Sequence, residues 1–198
     1  SQFFANISHE FRTPLTLILG QVESVMSSGI ETREKTKLQV ANRNARRLLT
    51  LINQLLDLSK LEAGSMELNA SQHNMVSFLK SLFYSFESLA ASQKIALSFE
   101  SESEYIPVVF DLDKMEKVFY NLVSNAVKFS KNQGEIKVRI RTIDSQYVEI
   151  QVEDNGLGIP EDQISGIFDR FYQVDNSSTR NFEGTGIGLA LVKELVEL

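Results

Sequence analysis

The sequence predicts two parts of different fold class: an all-α helical hairpin that forms a dimeric four-helix bundle, then an α+β sandwich domain. Three observations carry this reading. Up to Gly64 the apolar residues recur in steps of three and four, the period of a helix with one buried face. From Ser65 onward, short runs of strict alternation appear between helical stretches. The 198-residue chain, 42% hydrophobic, is long enough for one large domain or two small ones. The boundaries expected are 1–64 and 65–198.

The first helix is predicted from about Gln2 to Met26. Phe4, Phe11, Ile18 and Val25 form a seven-residue ladder with Ile7, Leu15 and Val22 on its flanks, and Ser27-Ser28-Gly29 ends it. His9 falls on the side opposite the ladder, with Glu10 beside it and Thr13 one turn further along. Pro14 removes a backbone bond to the carbonyl of Glu10 and loosens the helix there. Alone, His9 reads either as a surface histidine or as an exposed nucleophile awaiting a delivered group.

A second helix starts near Thr32 to Glu34, repeats Leu38, Ala41, Ala45, Leu48, Ile52 and Leu55, and stops at Ala63-Gly64. Two such helices cannot bury both apolar flanks by themselves. A second copy or the second half of the chain must cover the remainder; a homodimer is the expectation.

In the second part, Met75 to Ala91 reads as a helix with Val76, Leu79, Phe83, Phe86 and Ala90 on one face. Ile95, Leu97 and Phe99 alternate as a strand, and Ile106, Val108 and Phe110 as another. Asp111 to Phe129 is a helix whose expected buried stripe is Met115, Val118, Leu122, Ala126 and Phe129. Ile136, Val138 and Ile140, then Val148, Ile150 and Val152, alternate with charged residues across a turn near Asp144-Ser145-Gln146, a hairpin with one basic and one acidic outer face. One sheet with helices on one face is expected.

Composition narrows the function. Cysteine is absent, which excludes disulfides, thiolate zinc sites and thiol catalysis. No run of about twenty apolar residues is present to span a membrane, and no secretory signal is visible. The net charge of −6 divides unevenly. Residues 1–64 carry eight Lys/Arg against six Asp/Glu, and the remainder twelve against twenty, or −8. An acidic domain of that kind is a poor nucleic-acid binder, and none is expected as a partner. Arg43, Arg46 and Arg47 form either a solvated helix face or a meeting point for an acidic protein.

Three further motifs bear on chemistry. Asn121, Asn125 and Lys128 share a polar stripe beside the buried face of their helix. They are either solvated side chains or, by type, a neutral Mg²⁺ ligand set with a phosphate-binding lysine. Asp154-Asn155-Gly156-Leu157-Gly158-Ile159-Pro160 follows a strand directly. Asp154 there can accept a bond from an exocyclic amine, although such a turn can also be a plain loop. Gly184-Thr185-Gly186-Ile187-Gly188-Leu189 opens an apolar helix, a cradle for phosphate. The segment before it, with Phe168, Phe171, Tyr172 and the polar run 175–181, reads as a lid or as a floppy connection.

Together and in this order, these signals resemble the catalytic core of a two-component sensor histidine kinase over essentially the whole chain. His9 to Leu15 is similar to the phosphoacceptor box, Asn121 to Ser130 to the N box, Asp154 to Pro160 and Gly184 to Leu189 to the two glycine boxes, and Phe168 to Phe171 to the F box. The resemblance implies a dimerisation and phosphotransfer domain followed by a Bergerat (GHKL-type) ATP-binding domain. It implies that ATP phosphorylates His9, which passes the group to an aspartate of a response-regulator receiver. Asp154 would read the adenine, Asn125 assisted by Asn121 would hold Mg²⁺, Lys128 would contact phosphate, and Phe129 would lie beside the base. Gly156, Gly158, Gly184, Thr185, Gly186 and Gly188 would line the nucleotide and its lid. Glu10 would assist the proton of His9, and Thr13 would orient a water for dephosphorylating the regulator.

The resemblance also implies further strands after Leu198, so the ATP-binding domain is expected to be incomplete at its C-terminus. A cytoplasmic catalytic portion, one that a membrane-bound sensor could carry, follows from the same resemblance. Two rival readings are a Bergerat-fold ATPase or serine kinase, against which His9 and the dimer hairpin argue, and a dimeric interaction module without catalysis.

Overall fold

The computed structural model describes residues 15–26, 32–144, 146–174 and 185–198. The chain divides into two compact units, Ser1–Met66 and Glu67–Leu198. Among the described residues no helix is long and apolar enough to cross a membrane.

In the first unit, helix α1 covers 15–26 and α2 covers Thr32–Glu62. Leu15 and Leu19, one turn apart, bury themselves with Ala45 and Ile52 of α2, and Leu49 packs at the edge. Glu23 pairs with Arg46 across the hairpin, and Arg46 Nε donates to Asn42 Oδ1 at 2.8 Å. The expected seam is therefore rotated. Ile18 is 52% exposed and Val25 43%, while Leu15 and Leu19 occupy the interhelical face. On α2, Ala45 and Ile52 point inward, whereas Leu48 (47%) and Leu55 (41%) point out. The reason is geometric: each helix carries two apolar flanks, and one antiparallel neighbour covers only one of them. Helix α2 ends in a Schellman turn, with Ser65 N–H donating to Lys60 O and Gly64 N–H to Leu61 O, both at 2.9 Å. Gly64 takes φ +59°, the left-handed conformation that only glycine adopts cheaply.

The second unit contains strands β1 (Ser71–Asn74), β2 (Ala96–Ser101), β3 (Pro107–Phe110), β4 (Glu135–Ile143) and β5 (Tyr147–Asp154). Its helices are α3 (Met75–Tyr84), α4 (Glu87–Ser92), α5 (Leu112–Phe129) and α6 (Gly188–Glu197). β4 pairs in parallel with β2 and antiparallel with β5; β1 and β3 form a separate antiparallel pair. Among the described residues, two sheets thus stand where a single one was expected. β1, with sequence Ser-Gln-His-Asn, has no apolar alternation from which it could be read.

Ile136, Val138 and Ile140 turn one face of β4 into the core beneath Leu79, Phe83, Phe119, Val123 and Val127. Arg141 Nε meets Glu149 Oε1 at 2.6 Å on the other face, and Arg139 Nε meets Glu100 Oε2 at 2.9 Å. The basic and acidic outer faces expected for this hairpin are present. Lys137 stands opposite Glu153, and Arg141 opposite Glu149.

The helix expected over Met75 to Ala91 breaks at Ser85-Phe86. Ser85 Oγ donates to Leu82 O at 2.6 Å, and a serine hydroxyl that competes for a helix carbonyl favours such an end. Phe86 and Ala90 remain buried with Leu79 and Phe83, so the apolar stripe survives the break.

Helix α5 starts from Asp111, whose Oδ1 accepts Lys114 N–H at 3.1 Å as its N-cap. Asp111 Oδ2 accepts Asn69 N–H at 2.8 Å and faces Lys114 Nζ at 3.1 Å. Burial opposes ionisation of this carboxyl. The amides of Asn69 and Lys114 and the Lys114 ammonium outweigh it and hold the pKa down at about 2. The buried residues of α5 are Val118, Phe119, Val123, Ala126 and Val127. Leu122 and Phe129, expected in that stripe, are instead half-buried at its rim. The core is contacted through a wider arc because α6, β5 and α3 all pack on this helix.

Candidate functional site

The rim of α5 is where the polar stripe lies. Asn121, Asn125 and Lys128 are all half-buried there. Asn121 Nδ2 donates back to Lys117 O at 2.7 Å, which fixes the direction of its amide. Lys128 Nζ stands 4.4 Å from the centre of the Phe129 ring, a cation–π contact that holds the ammonium near an aromatic face.

The Asp154 turn is docked on the C-terminal end of α5. Leu157 N–H donates to Phe129 O at 3.2 Å, and a Cβ on Gly156 would sit 2.4 Å from that same oxygen. Gly156 is therefore required for backbone to pass backbone. Asp154 Oδ1 accepts Gly156 N–H at 2.9 Å, and the residue stays exposed at the end of β5. Asn155, which sequence reasoning did not single out, extends the β4–β5 ladder by one further pair. Its Oδ1 accepts Glu135 N–H at 2.8 Å, and its own N–H donates to Glu135 O at 3.3 Å. The available signal was an asparagine inside a glycine turn, a residue suited to side-chain bonding of nearby backbone. Gly158 adopts φ +70° with open space where a Cβ would point.

The second glycine segment joins a different wall. Gly186 has φ +68°, and a Cβ there would meet the Phe171 backbone at 2.6 Å; Phe171 N–H donates to Gly186 O at 2.8 Å. Thr185 Oγ1 accepts Ile187 N–H at 3.3 Å. Ile187 is fully buried and anchors the turn, and α6 then starts at Gly188 without a side-chain cap. A Cβ on Gly188 would lie 2.7 Å from Asn121 Oδ1. The connection before it includes a 3₁₀ helix, Glu161–Gly166, on which Tyr172 packs, with Tyr172 OH donating to Gln163 Oε1 at 3.3 Å.

The structure thus brings both glycine segments to α5, the Asp154 turn through Gly156 at Phe129 and the start of α6 through Gly188 at Asn121, while Gly186 packs on Phe171. Asn125 and Lys128 lie on the same stretch of α5. His9, Glu10, Thr13, Gly184 and the polar run 175–181 lie outside the described residues. Three glycines carry a packing constraint that their residue type alone did not announce. Gly156, Gly186 and Gly188 are needed first because protein atoms press against them.

Two family descriptions match the chain. Residues 1–64 match the His Kinase A (phospho-acceptor) domain, and 110–198 match the histidine kinase-, DNA gyrase B- and HSP90-like ATPase. The chain belongs to the histidine kinase family. Its two parts are the helical hairpin and the GHKL-type α/β domain of a histidine kinase core. Histidine kinase P4 of Formosa agariphila is 44% identical over all of this chain, which spans 15% of that protein. The sensor histidine kinase WalK of Bacillus subtilis is 34% identical over 99% of the chain, which spans 32% of it. Among solved structures, full-length ShkA in complex with AMPPNP superposes with a TM-score of 0.84 at 26% identity, covering 99% of this chain and 40% of that one. The chain therefore represents less than half the length of each of these histidine kinases.

Proposed function

We propose that this core uses ATP to phosphorylate His9 and then transfers the phosphoryl group to an aspartate of a response-regulator receiver domain. The observation that carries the reading is the order of two matches: a phospho-acceptor domain over 1–64, then an ATPase domain over 110–198. The local geometry supports a nucleotide there. A half-buried lysine, two amides, an exposed carboxylate at a strand end and an uncapped helix N-terminus of glycine backbone suit an adenine at one side and phosphates at the other. AMPPNP in the ShkA structure is consistent with this.

Asp154 is assigned to the adenine amine, with Phe129 beside the base. Lys128 offsets negative charge on the phosphates, and the glycine-led start of α6, with Thr185, Gly186 and Gly188, supplies backbone amides. A neutral nitrogen of His9 attacks the γ-phosphorus in line. An N–P bond forms, the bond to the β–γ bridging oxygen breaks, and ADP leaves. Glu10 receives or stabilises the proton on the other ring nitrogen, which strengthens the attacking one. An aspartate oxygen of the receiver then displaces His9 from phosphorus. Thr13 is assigned to orient a water that attacks the aspartyl phosphate of the regulator, breaking its acyl–phosphate bond and releasing inorganic phosphate.

Mg²⁺ fits the donor type, since Asn125 offers a neutral amide oxygen to a hard cation. Among the described residues no cluster of three His, Cys, Asp or Glu suited to a metal occurs, so Asn125 is the residue assigned to hold the ion. Bound there, the ion would neutralise phosphate charge.

The exposed pairs Ile18/Val25 and Leu48/Leu55, each at seven-residue spacing, support a homodimer in which a second hairpin covers them. Incubation with γ-labelled ATP and Mg²⁺ tests the chemistry. Acid-labile, alkali-stable label that disappears in His9→Gln is expected. Label that persists in His9→Gln would refute the assignment of the acceptor.

A further inference from the structure

We infer that Asp111 is a positioning residue for phosphoryl transfer: by holding the backbone of Asn69 it shortens the free chain between the two units to Met66–Leu68. Its effect on transfer rests on the proposed function, whereas the clamp itself does not.

The connection is fixed at both ends. On the hairpin side α2 closes with its Schellman turn, and the N–H and the hydroxyl of Ser65 both donate to Lys60 O, at 2.9 and 3.2 Å. On the other side Asn69 N–H donates to Asp111 Oδ2 at 2.8 Å. The boundary between the units falls between these points, after Met66. Glu67 and Leu68 are exposed and Met66 is half-buried, and none of the three makes a hydrogen bond or ion pair among the described residues.

Asp111 is a firm anchor. It is buried, its Oδ1 caps α5 through Lys114 N–H, and Lys114 Nζ stands 3.1 Å from Oδ2. With its pKa at about 2, the carboxylate is charged throughout the neutral range, and an ionised acceptor bonds an amide more strongly than a neutral one. Capping a helix needs one oxygen. The second serves a segment outside every helix and strand.

The consequence is one of length. Four residue steps join Ser65 to Asn69, a span of roughly 14 Å at full extension. Without the clamp the next fixed point is Ser71, paired with Phe110 in the β1–β3 ladder, and six steps reach roughly 21 Å. The acceptor belongs to one unit and the nucleotide site to the other, so a shorter tether raises the effective concentration of each for the other. That concentration falls as about the −3/2 power of tether length, so freeing Asn69 and Ala70 should lower it about twofold.

Two changes to the 198-residue chain lengthen the tether independently. Asp111→Ser keeps a hydroxyl to cap α5 but cannot also reach Asn69; a Gly-Ser insertion between Met66 and Glu67 leaves Asp111 intact. Because cysteine is absent, Gln39→Cys and Gln146→Cys, both exposed and one in each unit, can carry spin labels in chains diluted with unlabelled protein. The clamp predicts that both changes broaden the distance distribution between the spin labels. Both should slow phosphorylation of His9 at saturating ATP about twofold and leave ATP affinity, measured by calorimetry, unchanged. In the wild type, amide exchange should be slow at Asn69 and fast at Glu67 and Leu68.

A variant Asp111→Ser that loses only thermal stability, with distances and phosphorylation rate as in the wild type, would show a plain helix cap and overturn the inference. Weakened ATP binding in that variant, or an Asn69 amide that exchanges as fast as its neighbours, would overturn it too. If Asp111→Ser does not fold, Asp111→Asn and the wild-type exchange rates decide. A wild type that never phosphorylates His9 would instead refute the proposed function, and the distances and exchange rates would still decide the clamp.

Discussion

The helical hairpin and the mixed unit solve the same problem of burial in opposite ways. In the hairpin, Leu15, Leu19, Ala45 and Ile52 form a narrow buried strip, while Ile18, Val25, Leu48 and Leu55 stay exposed at heptad spacing. In the mixed unit, Leu79, Phe83, Val123, Ile136 and Val138 are completely buried by helices laid on a sheet. Two helices expose one flank whatever their sequence, whereas helices laid on sheets enclose a core. An incomplete apolar surface suits a part that associates, and a closed core suits a part that must hold a ligand site rigid.

The sharpest way to break this contrast is to charge the open face. Leu48→Glu should reduce self-association at least about a hundredfold, since a charge buried without a partner costs several kcal/mol. Sedimentation velocity should show the wild type as a dimer and the variant as a monomer with its helical circular dichroism retained. A wild-type monomer at high concentration would mean that the exposed ladder is covered in some other way.

A smaller effect is expected inside the closed unit. Gly156→Ala drives a methyl group to within 2.4 Å of Phe129 O and should cost about 1–3 kcal/mol, with the Asp154 turn displaced. Denaturant unfolding and ATP binding should both weaken, whereas the dimer should persist. The same substitution at Gly158 meets no atom but is strained by φ +70°, so it should cost less.

Asp111→Asn should be milder still, about 1–2 kcal/mol at neutral pH: the amide oxygen can still cap α5, but the Asn69 N–H loses its acceptor and Lys114 its counter-charge. Its pH dependence has a definite sign. The folded carboxyl is held at about 2, below its ordinary value of 3.8, so its stabilisation is complete above pH 4 and is lost as pH falls through 2. Urea unfolding of wild type and Asp111→Asn should therefore converge between pH 4 and pH 2. Curves that stay a constant distance apart over that range would rule out this carboxylate as the source.

The difference between the two units also explains what could be read before the fold was known. The β4–β5 hairpin was legible because Lys137, Arg139 and Arg141 alternate with Ile136, Val138 and Ile140 on a surface solvated on one side only. The extent of α5 was legible too, since Asp111 and Phe129 bound an amphipathic run. Its buried face was not, because Leu122 and Val123 are equally apolar and only the packing of neighbours decides between them. β1 escaped because its ladder with β3 depends on backbone bonds and its side chains are polar. At the proposed site, Asn121, Asn125, Lys128 and Asp154 were singled out from residue type and spacing. The seat of Gly188 on Asn121 and the staple from Asn155 to Glu135 join residues distant in sequence, and no local pattern announces them.

The central claim is a division of labour between an acceptor on one unit and a nucleotide site on the other. The most direct test measures ATP binding and phosphoryl labelling together in His9→Gln and Asp154→Asn. The account predicts that His9→Gln binds ATP as the wild type does and takes no label, whereas Asp154→Asn loses both. Label in His9→Gln, or undiminished ATP binding in Asp154→Asn, would contradict it.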